Sequence, residues 1–203
     1  MPRAHDAMLH HRLWNRYLLN LQQRPMIVKA CTSCLTFSAT DCIAQSRERS
    51  KARSAGLPVP RHDAFQSARN GAFGLLWLGP LNHIFWGRSR FGLEYWIPGQ
   101  SWSCVFRRVA VDQITNMPLN MVVFLAWPHL WRGDFKQARA DVQAYFWPSF
   151  TFALSIWPFV HPLSFKYVPL EHRLLVLNIC SLFVFSYATY VSDRQSKMGP
   201  VRA

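Results

Sequence analysis

The 203 residues suffice for one helical domain and little more; half are hydrophobic and 15% aromatic, yet the mean hydropathy is only −0.01. Twenty-three Lys and Arg against ten acidic residues leave a net charge of +13. No zinc-finger spacing or Gly-rich RNA motif accompanies that charge, which points to anionic lipid headgroups rather than nucleic acid, and five cysteines, an odd number, argue against a disulfide framework.

The mean hydropathy is low because apolar runs alternate with basic connectors. Four stretches lack Asp, Glu, Lys and Arg for eighteen residues or more: Asn70–Gly87, Ile114–Trp131, Val142–Phe165 and Leu174–Val191. A helix of about 18–20 apolar residues rises roughly 27–30 Å, the thickness of a bilayer's hydrocarbon core. The pattern predicts a single membrane domain over 1–203. Its fold is an all-α, polytopic helical bundle of about four spans, with an N-terminal amphipathic helix and kinked, proline-broken helices.

Residues 1–24 are basic and hold one acid, Asp6. Leu13, Tyr17 and Leu21 recur every four residues beside Trp14 and Leu18. This is the pattern of an interfacial helix and of a mitochondrial targeting segment. Pro25 opens the next helix, and Met26–Gln45 is apolar or small except for Lys29 and Asp41. Lys29 sits near enough to one end to snorkel. Cys31-Thr-Ser-Cys34 lies inside this helical stretch with no second pair, so it reads as small packing residues rather than a redox or zinc motif. Ser46–Arg61 reads as a polar, flexible loop. In the following span Gly71, Gly74 and Gly79 permit close helix approach, and Pro80 predicts a kink. Trp96, Pro98, Gly99 and Trp102 mark an interfacial turn. The span Val105–Trp131 is entered through Arg107-Arg108 and is predicted to break near Pro118; Arg132-Gly133-Asp134 is a short turn. Pro148, Pro158 and Pro162 predict that the next run is an interfacial helix bending into a span. Pro169 lies in a tight connector, Leu174–Val191 is the cleanest span, and the tail 193–203 is basic.

Ionisable groups inside these runs are informative because an Asp at mid-bilayer costs about 2.5–3.5 kcal/mol. Asp41 is followed one turn later by Gln45, Asp112 directly by Gln113, and His83 stands beside Asn82. With Lys29 or Arg69 as counter-ions, Lys29, Asp41, Gln45, Arg69, His83, Asp112 and Gln113 form a candidate polar seam or pore lining. The competing reading is structural: polar side chains satisfying one another between helices. No phosphate loop, nucleophile elbow, dinucleotide fingerprint or metal-spaced His or carboxylate pair is found, so no enzyme, cofactor or metal site is expected. His161 and His172 flank proline-rich turns and read as interfacial.

The series Trp14-x-x-Tyr17-Leu18-x-x-Leu21, Pro25, Lys29, Thr32, Asp41, Ala44 and Gln45 resembles the opening of the Mpv-seventeen/peroxisomal membrane protein (twenty-two kilodalton) family. The likeness continues through Asp63, Arg69, Gly74, Gly79-Pro80, His83, Asp112-Gln113 and Pro118. It closes with Trp157-Pro158, Phe165, Val168-Pro169, Arg173 and Ser186-Tyr187. The family's usual Gly before Asp41 is Thr40 here, its Gln and Asn after Trp157-Pro158 are His161 and Ser164, and its late Trp is Val184. The resemblance implies an integral protein of the mitochondrial inner membrane or the peroxisomal membrane. It implies a small non-selective pore that affects solute passage or membrane potential. The alternative is a non-catalytic accessory subunit or assembly factor of a larger mitochondrial complex: a respiratory complex, ATP synthase or ribosome.

Overall fold

The structure is a computed structural model and describes residues 12 and 15–183. Leu13, Trp14, Val184, Ser186-Tyr187, the end of the Leu174–Val191 run and the basic tail lie outside the described residues. Among the described residues every regular element is helical. Helix α1 covers 15–23 and turns Tyr17, Leu18 and Leu21 toward the protein, with Arg16, Leu19 and Gln22 exposed.

Helix α2 (Pro25–Ser54) carries Pro25 in its first turn, where a missing N–H costs nothing. Lys29, Ser33, Asp41 and Gln45 are buried and Phe37 half-buried, a stripe at four-residue spacing that faces the bundle. The polar groups of this helix point inward. Its three threonine hydroxyls are satisfied locally: Thr32, Thr36 and Thr40 donate to the carbonyls of Val28, Thr32 and Thr36 at 2.8, 2.9 and 2.8 Å. Such back-bonding lets a threonine lie in an apolar medium without an unpaired donor.

α2 continues well into the segment expected to be a loop from Ser46. Arg, Glu, Lys and Ala favour helix, and Lys51 and Arg53 in the last turn complement its dipole. The helix stops at Gly56, whose φ of 67° is open to glycine. Leu57 N–H reaches back to Ala52 O at 2.9 Å and Gly56 N–H to Arg53 O at 3.3 Å, a Schellman ending. The connector is thus confined to 55–63.

Helix α3 begins at Ala64–Phe73, where the Asp63 side chain accepts from Gln66 N–H at 2.9 Å as an N-cap. It passes through a π-helical stretch, Gly74–Leu78, into Gly79–Trp86. Helix α4 (Leu93–Trp96) is a single turn. Helix α5 runs unbroken from Trp102 to Leu130, comprising Trp102–Val111, a π-helical stretch Asp112–Asn116, and Met117–Leu130. The expected kink at Pro80 and break at Pro118 take the form of these π turns, each ending two residues before its proline. A proline cannot donate to the carbonyl four residues back and its ring clashes there; a wider turn relieves both problems.

Helices α6 (Phe135–Leu154) and α7 (Trp157–Tyr167) divide the third proline-rich run at Ser155-Ile156, and α8 covers 170–183. Pro158 lies in the first turn of α7, so it initiates a helix where a kink is expected, and Pro169 stands in the connector just before α8. Pro25–Ser54 and Trp102–Leu130 are long and apolar enough to cross a membrane by themselves. The protein is a helical membrane bundle.

The tightest contact joins α2 to α3. A Cβ on Gly74 would lie 2.5 Å from Ser33 C and O, and one on Gly79 would lie 2.5 Å from Ala30 Cα. A Cβ on Gly71 would strike Ser38 Oγ. Cys34 packs in this same seam, and all five cysteines are free. Because backbone cannot yield as a flexible side chain does, Gly74→Leu is expected to destabilise the detergent-solubilised protein by about 3 kcal/mol or more. Thermal unfolding against wild type checks this; an unchanged melting temperature would show that α2 and α3 separate at no cost.

Candidate functional site

Buried side chains in this protein are about as often polar as apolar. Three polar clusters account for most of them. In the first, Asp41 on α2 accepts from Gln45 Nε2 (2.6 Å), Ser67 Oγ (2.6 Å), Gln66 Nε2 (2.8 Å) and Asn70 Nδ2 (2.9 Å). Gln45 also exchanges hydrogen bonds with the Asp63 backbone, donating at 3.0 Å and accepting at 2.7 Å. All of Asp41's partners are neutral, and neither proposed counter-ion reaches it. Lys29 lies twelve residues earlier, about 18 Å along the helix, and donates instead to Leu170 O at 3.2 Å. Arg69 meets the bundle through its carbonyl, which accepts from Trp127 Nε1 at 2.8 Å, while its Nε has no partner among the described residues. This cluster fastens α2 to α3.

The second cluster is centred on Asp112 of α5, which is 0% exposed. Its Oδ1 accepts from Trp86 Nε1 on α3 at 2.7 Å and from Asn116 Nδ2 at 3.0 Å. Its Oδ2 accepts from Gln113 Nε2 at 3.2 Å and pairs with His161 Nδ1 of α7 at 2.8 Å. The expectation that His161 is interfacial is therefore corrected: it is 7% exposed and enclosed by Trp86, Trp157 and Phe165. His83 stands half-buried outside this network, its Nδ1 without a hydrogen bond among the described residues.

From Asp112 a ladder climbs α5 at four-residue intervals. Asn116 Nδ2 donates to Asn82 Oδ1 of α3 at 3.0 Å, Asn120 Nδ2 donates to Asn116 Oδ1 at 3.0 Å, and Trp77 Nε1 donates to Asn120 Oδ1 at 3.0 Å. The ladder forms one wall of a central cavity of about 370 Å³. Asn178 and Ser181 of α8 and Ser149 of α6 add polar groups, while Phe37, Phe73, Phe124, Phe152 and Trp157 make the walls apolar. Phe37, Phe73 and Phe124 pack edge-to-face with centroids 5.3–6.2 Å apart, which holds that side of the cavity rigid.

The third cluster escaped the sequence reading. Glu94 Oε1 on α4 receives Arg108 Nη1 of α5 at 2.9 Å and Arg173 Nη1 and Nη2 of α8 at 3.2 Å each. Arg108, 1% exposed, also donates to Ile97 O at 2.8 Å and to Gly99 O. The Arg173 guanidinium lies 4.6 Å from the Phe165 ring centroid. Two buried cations thus share one carboxylate and gather α4, α5 and α8 at one end of the bundle. Arg108 was legible only as part of a basic pair, and Glu94 carried no signal at all.

Of the candidate residues, Asp41 joins Gln45, and Asp112, on the wall of the cavity, joins Gln113. Lys29, Arg69 and His83 join neither cluster. Asn82, Asn116, Asn120, His161 and Asn178 complete the site. The four-residue spacing of Asp112, Asn116 and Asn120 along α5 was the one available sequence signal.

An all-α bundle with polar side chains bonded inside and apolar ones exposed outside defines a polytopic membrane protein. A family model described as the Mpv17 / PMP22 family matches residues 130–189. Protein SYM1 of Saccharomyces cerevisiae is 28% identical over 92% of this chain and 92% of its own. Peroxisomal membrane protein 2 of Bos taurus is 25% identical over 88% and 89%. Protein sym-1 of Neurospora crassa is 27% identical over 88% and 98%. No solved structure matches. The chain is thus similar to these relatives over most of its length, and its residues 130–189 match the Mpv17 / PMP22 family.

Removing one side of a buried, hydrogen-bonded pair costs about 3–5 kcal/mol, because the other side is left without water or partner. Asp112→Leu strands Trp86 Nε1 and His161 and should lower stability by that amount. His161→Gln keeps a donor opposite Oδ2 and should cost about 1 kcal/mol. Melting temperatures of the two variants in the same detergent test the ranking; equal losses would show that Asp112 does not organise the cluster.

Proposed function

We propose that the protein is a small-solute pore whose path runs through the central cavity between α3, α5, α7 and α8. The observation that carries this reading is the asparagine ladder with Asp112 on the wall of a cavity of about 370 Å³, in a bundle whose outer surface is apolar. Polar groups are expensive in a membrane interior, and a run of them along one helix face suits the transient stripping and replacement of a solute's water. Among the described residues the lining holds one carboxylate already bonded on both oxygens and no Lys or Arg, which suits small uncharged or weakly charged solutes.

The membrane proposed is the mitochondrial inner membrane, from the basic, acid-poor first 24 residues. The similarity to a peroxisomal membrane protein supports the other organelle. The partners proposed are anionic lipids meeting the basic connectors. Purified protein in planar bilayers should conduct, and Asn116→Leu with Asn120→Leu should cut the conductance about tenfold or more. A bilayer that stays silent with folded wild-type protein refutes the pore. Retention of the protein in membranes after alkaline carbonate, followed by organelle separation, tests the location.

A further inference from the structure

We infer that the central cavity is a binding site for a neutral organic molecule with an apolar body and an oxygen head able to accept a hydrogen bond. The inference shares its cavity with the pore reading but requires no passage through it.

The argument starts from the polarity of the ladder. The Trp77 indole N–H can only donate, so the Asn120 edge facing it is Oδ1. Asn120 Nδ2 must then donate to Asn116 Oδ1, and Asn116 Nδ2 to Asp112 Oδ1 and Asn82 Oδ1. The Asp112 carboxylate, which only accepts, independently fixes the same direction at the other end. The amide orientations are therefore determined by chemistry, and one donor is left over: Asn82 Nδ2. Asn82 is 4% exposed, lines the cavity, and makes no other hydrogen bond among the described residues. Across the cavity Asn178, 2% exposed, donates to Ser33 Oγ at 3.0 Å, and its Oδ1 accepts from none of the described residues. A buried polar group without a partner costs about 1–3 kcal/mol, which a ligand oxygen accepting from Asn82 Nδ2 recovers, and a hydroxyl head can also donate to Asn178 Oδ1.

Charge excludes ions as the preferred occupant. Among the described residues Asp112 and His161 are the ionisable groups of the lining, and they face each other. Neither an anion nor a cation finds an unpaired opposite charge, and either would lose its water. The aromatic walls and the volume, within the roughly 300–1,000 Å³ of ordinary small-molecule sites, suit an apolar body.

Native mass spectrometry of the detergent-solubilised protein with 1-decanol, decanoate and decylammonium tests the assignment. One decanol per chain should be retained saturably, with the two charged congeners at least tenfold weaker. Asn82→Leu, which leaves Asn116 still bonded to Asp112, should weaken decanol about tenfold. Ala153→Phe, which fills the cavity from α6, should abolish retention, and Ser149→Phe serves if that variant does not fold. Equal binding of the three congeners, retention in the folded filled variants, or none by folded wild type would overturn the inference. Binding without conductance refutes the pore alone, and conductance without binding refutes this site alone.

Discussion

Asp112 sets the terms for the rest of the bundle. A carboxylate with no exposed surface is tolerated only if protein replaces its water on every side. Here each oxygen receives two donors, from α3, from α7 and from α5 itself. Those donors cannot be supplied unless three helices arrive at one point with their Trp86, His161 and Asn116 side chains already aimed. The residue that is most costly to bury therefore specifies the packing most narrowly. The apolar cluster of Trp86, Leu93, Val105, Val109, Phe165, Leu174 and Leu177 is drawn from these three helices together with α4 and α8.

Lipid explains why the polar groups are inside and the apolar groups outside. Leu35, Leu76, Ile114, Phe159 and Phe183 are each more than 60% exposed, a liability in water and no cost in hydrocarbon. Without a hydrophobic drive between helices, association must come from close contact and hydrogen bonds. Both are present. Glycines bring α3 onto the backbone of α2, where the Asp41 cluster also fastens the pair, and the hydrogen-bonded clusters of Asp112 and Glu94 join α3, α4, α5, α7 and α8.

The features visible in the sequence were local. Two aspartates in apolar runs announce themselves by type, the glycines by size, and the prolines by the breaks they threaten; all of them mark real junctions. Pairing across distance was invisible. Asp112 and His161 are 49 positions apart, and Glu94 and Arg173 are 79, with nothing in either neighbourhood to connect them. The assumption that a buried acid wants a cation also misled. Asp41 is satisfied by amides and a hydroxyl, while Lys29 is satisfied by a carbonyl. The helical extension to Ser54 is easily mistaken for a loop because of its charge, although Arg, Glu, Lys and Ala are strong helix formers.

The two π turns connect these themes. Gly74 and Gly79 are five residues apart, which on an α-helix would place them about 140° apart around the axis. Yet both meet α2, at Ser33 and at Ala30. The π stretch Gly74–Leu78 absorbs the extra residue, with Gly79 N–H reaching back to Gly74 O, and restores the phase. The same device in α5 closes Met117 N–H onto Asp112 O, so the helix widens where its carboxylate is held and Pro118 is accommodated without a break. A proline in each helix thus has two effects. It forces the wide turn, and the wide turn rotates the residues beyond it, so that Gly79 stays on the α2 seam while Asn82 and Trp86 face the cavity and the ladder. The fold has no need of a break at either proline, because the change in register that the prolines impose is the one that the glycine seam and the polar wall require.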